Sequence, residues 1–330
     1  MRPRSVLRAR GKAAVHSDAE TGARYIIWYK PRSGGVFFRG AALQNGGLMR
    51  PRLKVTARAI ALACLLAAGG LIAGCVSTGG RETTANALDV ILAGNQRTAA
   101  DRGRDRYRHP KETLLFFGIR PKMRVLQVWP ESGWYTEIIA PLLQAKGRYY
   151  AGVIAPDPGS SFLKARLASY RGLLASRPDV YGGVKVLTFP LDGRDVLPPG
   201  SVDMVLSFRN LHEWMALGEA QQALGTVFRA LAPGGVFGVV DNRGDPAVPQ
   251  DPRAKNGYVR QDYAIRLIEA AGFRLVATSE VNANPKDTKN YPAGVWALPP
   301  DYRLGNIDRA EYAAIGESDR FTLKFVKPGK

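Results

Sequence analysis

His109 and His212 are the only side chains of residues 76–330 that exchange a proton near neutral pH without help from their surroundings, and no cysteine accompanies them. His212 stands in the run Asn210-Leu211-His212-Glu213. An amide, an imidazole and a carboxylate there would be placed to orient a substrate and take its proton. Asp241, Asn242 and Arg243 form a second polar group, which reads either as the lining of a pocket or as an ordinary polar exit from a strand. With no thiol and two histidines, the chemistry is neither cysteine-based nor that of a zinc centre, and no metal is expected. Trp129, Trp134 and Tyr135 offer aromatic faces that suit a cation, or equally a packed core.

The elements that must position these groups begin at Val125–Leu143, VLQVWPESGWYTEIIAPLL. A short β-rich run, a turn and a helical stretch make the unit with which nucleotide-type cofactor folds open. Such turns are usually rich in glycine, because bare backbone lets a ligand approach the N–H groups of a helix N-terminus. Here Trp129, Pro130, Glu131 and Ser132 fill the turn and only Gly133 remains. Strand-like runs follow at 148–154, 184–189, 202–208, 236–241, 273–281 and 320–327, alternating with helical patterns at 136–144, 161–176, 218–231 and 261–271. This alternation predicts an α/β layer with a mainly parallel sheet. Residues 84–92 and 110–117 read as short helices before the sheet. Residues 282–318, with weak periodicity, read as an inserted loop or lid.

The N-terminal third is different in kind. Residues 1–48 carry nine basic against two acidic residues and no sustained periodicity, and read as a disordered or spurious extension. From Met49, four basic residues precede an apolar run, 59–73, too short for the roughly twenty residues that a bilayer span needs. The ending Leu71-Ile72-Ala73-Gly74-Cys75 resembles the lipobox of bacterial lipoproteins. That resemblance implies a signal peptide over 49–75, a lipid on Cys75, a tether and N-terminal segment over 76–109, and a domain over 110–330. It also implies an envelope location facing the periplasm, at the outer membrane because Val76 is not aspartate; an uncleaved membrane anchor is the alternative. Before residue 76 lie thirteen basic and two acidic residues, so the net charge of +19 falls to +8 for the rest. With no basic run interleaved with aromatics, that charge reads as solvated surface, and no nucleic-acid partner is expected.

Three further segments narrow the fold. Leu191-Asp192 with Leu197-Pro-Pro-Gly-Ser-Val-Asp-Met-Val205, Leu231-Ala-Pro-Gly-Gly235 before a strand, and Ala270-Ala-Gly-Phe273 resemble, in this order, segments of class I S-adenosylmethionine-dependent methyltransferases. The turn Trp129-Pro130 with Gly133-Trp-Tyr-Thr-Glu137, and the ending Ser318-Asp-Arg-Phe321, resemble a group of exported members of that family. The resemblance implies a Rossmann-like α/β fold: a seven-stranded, mainly parallel sheet with an antiparallel last strand and helices on both faces. It implies S-adenosylmethionine as cofactor at the C-terminal strand edges, with Trp129, Glu131, Gly133, Tyr135, Asp192 and Ser207 around it. On the acceptor side it implies Asn210, His212, Glu213 and Asp241. Tyr107 and His109 would fold over the opening.

The chain departs from the family where the cofactor binds. Gln127 replaces an acidic residue of the first strand. Where the second strand ends and a carboxylate usually meets the ribose, Val153 and Ile154 stand, with Asp157 late. Asp192 reads as an adenine contact or as a turn residue beside Gly193, and Glu131 as a ribose or ammonium contact or as a helix N-terminal charge. A transferase acting on a small-molecule or envelope acceptor is therefore weighed against a non-catalytic envelope lipoprotein that binds a small ligand or partner. A dehydrogenase lacks its glycine fingerprint. A serine hydrolase would need Ser132, Asp192 and His212 together at an elbow in which Pro130 and Trp134 replace glycines.

Overall fold

Runs of β-branched and large apolar residues bounded by Gly, Pro and Asp make strands when both faces can be covered, and seven such runs lie between Arg124 and Val326. In the computed structural model the chain divides into two compact units, Met1–Ile60 and Ala61–Lys330. The described residues are 13–17 and 24–28 of the first and 80–154 and 160–329 of the second, side chains of 13–17, 24–28, 161 and 162 excepted. The first unit contributes β1 (Ala13–Ser17) and β2 (Arg24–Trp28), paired antiparallel. Most of the 1–48 extension, the signal at 49–75 with its Cys75, the tether up to residue 79, and Asp157 lie outside the described residues.

In the second unit, residues 80–93 form helix α1. Three short helices follow, α2 (Ala99–Gly103), α3 (Asp105–Arg108) and α4 (Pro110–Phe117), the last opened by a proline whose missing N–H is not needed there. The sheet is built from β3 (Arg124–Val128), β4 (Arg148–Ile154), β5 (Lys185–Phe189), β6 (Val202–Phe208), β7 (Leu231–Asn242), β8 (Arg274–Ser279) and β9 (Arg320–Val326). Its order is β5-β4-β3-β6-β7-β9-β8, with the first five strands parallel and β9 antiparallel to both its neighbours. This is the expected seven-stranded arrangement.

The helices α5 (Thr136–Leu143), α6 (Ser161–Ser176), α7 (Pro178–Tyr181), α8 (Leu211–Leu217), α9 (Ala220–Ala230) and α10 (Gln261–Ala270) pack around it. Alternate strand residues enter separate cores. Leu126, Val128, Val205 and Leu323 join α8, α9 and α10 in one; Val125, Met204 and Leu206 join α4 and α5 in the other. Pro141 inside α5 frees the Glu137 carbonyl, which accepts instead from Gln96 Nε2 at 3.2 Å.

Two local features depart from expectation. The Pro233-Gly234-Gly235 turn lies within β7 as a bulge. Val202 pairs with Leu231 and Met204 with Val236, so four residues of β7 oppose Asp203, and Gly234 takes a φ of +75°. Helix α8 was not anticipated, because its apolar positions Leu211, Trp214 and Met215 span too few turns to display a period. Residues 282–318 carry a 3₁₀ turn at Gly294–Ala297 and α11 (Arg309–Ile315), with a small core of their own at Ala297, Leu298 and Tyr312. No helix among the described residues is long and apolar enough to cross a membrane.

Candidate functional site

Between β3 and β6 the strand order reverses, and the carboxyl ends of the parallel strands diverge there into a crevice. A cleft of about 570 Å³ occupies it. Its floor is Gln127 and Trp129 at the end of β3, Phe208 and Arg209 at the end of β6, and Val240 of β7. The walls come from Arg104 and Arg108 of the N-terminal helices, Arg166 and Ser169 of α6, Asn282, Trp296, Asp301 and Arg303 of the segment read as a lid, and Arg320 opening β9. Because β9 runs antiparallel, its first residue lies at the same edge as the last residues of β3, β6 and β7.

The turn after β3 is held in unusual backbone conformations: φ is +43° at Trp129, +56° at Glu131 and +89° at Gly133. Two of these residues carry side chains in a region that favours glycine, so the turn stores strain beside the cleft. At Gly133 the φ of +89° would strain any side chain, and a Cβ would in addition push Leu173 Cδ2, 2.2 Å away, aside. The indole of Trp129 is 3% exposed and meets Trp214 edge-on at 6.2 Å. Glu131 pairs with Arg166. The expected crowding is real on the β4 side, where Trp129, Glu131, Val153, Ile154, Arg166 and Tyr170 leave a hollow of only about 30 Å³. The open space lies on the other side of the turn.

Gln127, where an acid was expected, accepts from the Tyr149 hydroxyl at 2.6 Å. That hydroxyl meets Thr136 Oγ1 at 2.9 Å, which in turn meets the Tyr170 hydroxyl at 3.1 Å. Burial pushes the Tyr170 phenol up to about 12, so it serves as a neutral link. Tyr135 stacks on Phe208 at 3.5 Å, and burial likewise raises its phenol.

Of the acceptor-side residues, Glu213 lines the cleft. His212 and Asp241 are brought together behind it: the carboxylate meets the imidazole Nδ1 at 2.7 Å and accepts from the His212 backbone N–H at 3.1 Å. Both residues are at most 1% exposed, and the imidazole packs 6.1 Å from Trp296. Asn210 is also buried; its Nδ2 donates to the Val128 carbonyl at 2.8 Å and to Ser207 Oγ at 3.3 Å, tying the end of β3 to that of β6. These groups brace the floor and do not face the opening.

Asp192 is a correction of place. It lies on an exposed turn and bonds the backbone and side chain of Arg194, at 3.1 and 2.7 Å, because an aspartate before glycine closes its own turn more readily than it reaches across the sheet. It lines neither the cleft nor the hollow, and with His212 bonded to Asp241 no Ser132-Asp192-His212 triad forms. Tyr107 packs beside Gly316, and His109 caps α4 at a φ of +38°, while their neighbours Arg104 and Arg108 reach the cleft. Among the described residues, no group of three or more His, Cys, Asp or Glu is placed to hold a metal ion.

The arginines were not foreseen. Arg104 Nε lies 2.6 Å and Arg108 Nε 3.0 Å from the carboxylate of Glu317, which also pairs with Arg320. Burial pushes Glu317 up, but Arg320, Arg108 and Arg104 together outweigh it and hold the carboxyl well below its usual range. Burial, helped by repulsion from Arg104, Arg320 and Arg209 against the pull of Glu317, lowers Arg108 to about 10. The Ser318-Asp-Arg-Phe321 ending was the one sequence signal pointing toward this cluster.

No protein-family model and no curated protein matches the chain. Similar solved structures include an S-adenosylmethionine-dependent methyltransferase from Aquifex aeolicus, 17% identical with a TM-score of 0.47 over 68% of this chain and 93% of that one. Another is the [4+2]-cyclase SpnF, 16% identical, TM-score 0.49, over 72% and 86%. A third is an S-adenosylmethionine-dependent methyltransferase from Mesorhizobium loti, 16% identical, TM-score 0.40, over 66% and 96%.

Proposed function

We propose that the chain is an S-adenosylmethionine-dependent methyltransferase whose cofactor and acceptor meet in the cleft above β3, β6 and β7. The observation that carries this reading is the position of a cleft of about 570 Å³ at the strand-order reversal, within the roughly 300–1,000 Å³ of small-molecule sites. Its residues fit such a ligand. Glu131, Glu213 and Asp301 offer carboxylates to an ammonium or to hydroxyls, Trp129 and Tyr135 offer ring faces, and Asn282 is 2% exposed with an unpartnered Oδ1 at the wall. When bound, S-adenosylmethionine would supply an electrophilic methyl carbon on a sulfonium. The chain itself would position the acceptor in line and exclude water. Glu213 would receive a proton where the acceptor must lose one, and His212, through Asp241, would hold the floor in place.

Calorimetry of the full chain with S-adenosylmethionine and S-adenosylhomocysteine tests this. Expected are saturable binding, a loss on the order of tenfold in Glu131→Gln, and no change in Asp192→Ala. Absence of heat at millimolar nucleoside would leave the second reading, a non-catalytic ligand-binding protein. That reading is favoured by the Glu131–Arg166 pair closing the β4-side hollow.

We propose also that the protein is exported and held at the envelope, facing the periplasm, by a lipid on Cys75, with a small-molecule or envelope-component acceptor. The basic-apolar-cysteine pattern of residues 49–75 supports this. Membrane attachment is expected to be lost in Cys75→Ala.

A further inference from the structure

We propose that the cleft contains an oxyanion clamp, formed by Arg108, Arg209 and Arg320 with Arg303 at its margin, for a carboxylate or phosphate of the second ligand. This deepens the transferase reading, on which that ligand is the methyl acceptor.

Six arginines line the cleft against Glu131, Glu213 and Asp301, with Glu317 behind them, an excess of two positive charges. Most of that excess is local. Three guanidinium groups share the single carboxylate of Glu317, whose side chain is 2% exposed, and the Arg320 side chain is itself 3% exposed. One carboxylate neutralises one of the three, and burial strengthens the field of the others. Arg209 adds a fourth. Its backbone is in the left-handed region at φ +65°, fixed by an N–H bond of 2.7 Å to Val240, and its Nε is buried without a hydrogen-bond partner. Its Nη2 forms an ion pair with Asp301 at 3.7 Å, too long for a hydrogen bond. Arg303 is presented over the Trp296 ring at 4.3 Å. These arginines come from four separate parts of the chain, and planar guanidiniums from several directions suit the forked acceptors of a carboxylate or phosphate.

Asn282 completes the wall. Its Nδ2 donates to Thr113 at 3.0 Å and Thr322 at 2.9 Å, and its Oδ1 has no partner. The Thr113 hydroxyl already gives its proton to the Arg108 carbonyl at 3.2 Å, so an amide turned over to offer its N–H to an anion would accept from Thr322 alone. S-adenosylmethionine carries a net positive charge near neutral pH, and its single carboxylate cannot balance two surplus cations. Its own charge raises the surplus to three, of which a doubly charged second ligand balances two.

The test is titration of the full chain at low ionic strength with inorganic phosphate and, separately, with succinate. Saturable millimolar or tighter binding of one of them is expected, weakened about tenfold in Arg209→Gln and in Arg303→Gln. Arg303→Gln should keep the wild-type melting temperature, since its side chain rests on a ring and braces no element. Stronger binding of phosphate marks a phosphorylated ligand, and of succinate a carboxylated one. The clamp is overturned if neither anion binds, or if binding survives both substitutions unchanged. S-adenosylhomocysteine titrated into the same samples separates the two readings. Nucleoside binding without anion binding removes the clamp and leaves the transferase; anion binding without nucleoside binding removes the transferase and leaves the clamp.

Discussion

Asp241 has no exposed surface, and its charge is tolerated because three N–H groups converge on it: the imidazole and backbone of His212 and the backbone of Asn242, at 2.7, 3.1 and 2.7 Å. The aspartate therefore fixes where α8 starts relative to the end of β7, and with it the direction of Glu213 one residue on. Removing the carboxylate takes the acceptor from all three of these buried groups. Asp241→Ala is expected to lower stability by about 3 kcal/mol, measured by denaturant titration. His212→Gln, which leaves the carboxylate its backbone donors, should lower it by about half as much. A result with both variants near wild type would mean that α8 is seated by Trp214 and Met215 alone.

At the scale of elements, α5 carries a group that answers to pH. Glu137, in its first turn, is 5% exposed, its Oε2 has no hydrogen-bond partner, and Arg97 Nε stands 3.8 Å away. Burial, with Asp101 adding and Arg97 opposing, pushes the carboxyl up to about 7 from its ordinary 4.5. A carboxyl with a raised folded value disfavours the folded state once ionised, so stability declines as pH rises from about 4.5 through 7. Glu137→Gln should melt a few degrees above wild type at pH 8 and equal to it near pH 4.5. Elements of this kind were legible in the sequence to different degrees. Arg148–Ile154, Val202–Phe208 and Ser161–Ser176 have the boundaries that their apolar patterns predict, because both faces of those strands and one face of that helix are dictated locally. The β7 bulge was hidden by a Pro-Gly-Gly run that reads equally as a turn. The Trp129–Gly133 turn was located correctly, but not the side on which it leaves space.

Across the whole molecule, what the sequence concealed was the cationic site. An arginine between loops reads as solvated surface, and Arg104 and Arg108 lie more than two hundred residues from Glu317, with which they pair. Only the antiparallel return of β9 puts Arg320 at the same edge. Residues 282–318, whose weak periodicity announces no element, wall the cleft through Asn282, Trp296, Asp301 and Arg303.

The three-to-one pairing at Glu317 also makes the attachment of α2 and α3 and the filling of the cleft a single equilibrium. Guanidiniums that repel one another loosen the helices that carry two of them, and any anion that relieves the repulsion tightens that hold; by reciprocity, helices clasped more firmly retain the anion longer. Deuterium uptake by the amides of residues 99–108 should therefore slow when phosphate or succinate is added, while uptake in β4 and β5 stays unchanged. The N-terminal helices would thus report occupancy of a cleft whose ligand they only partly enclose.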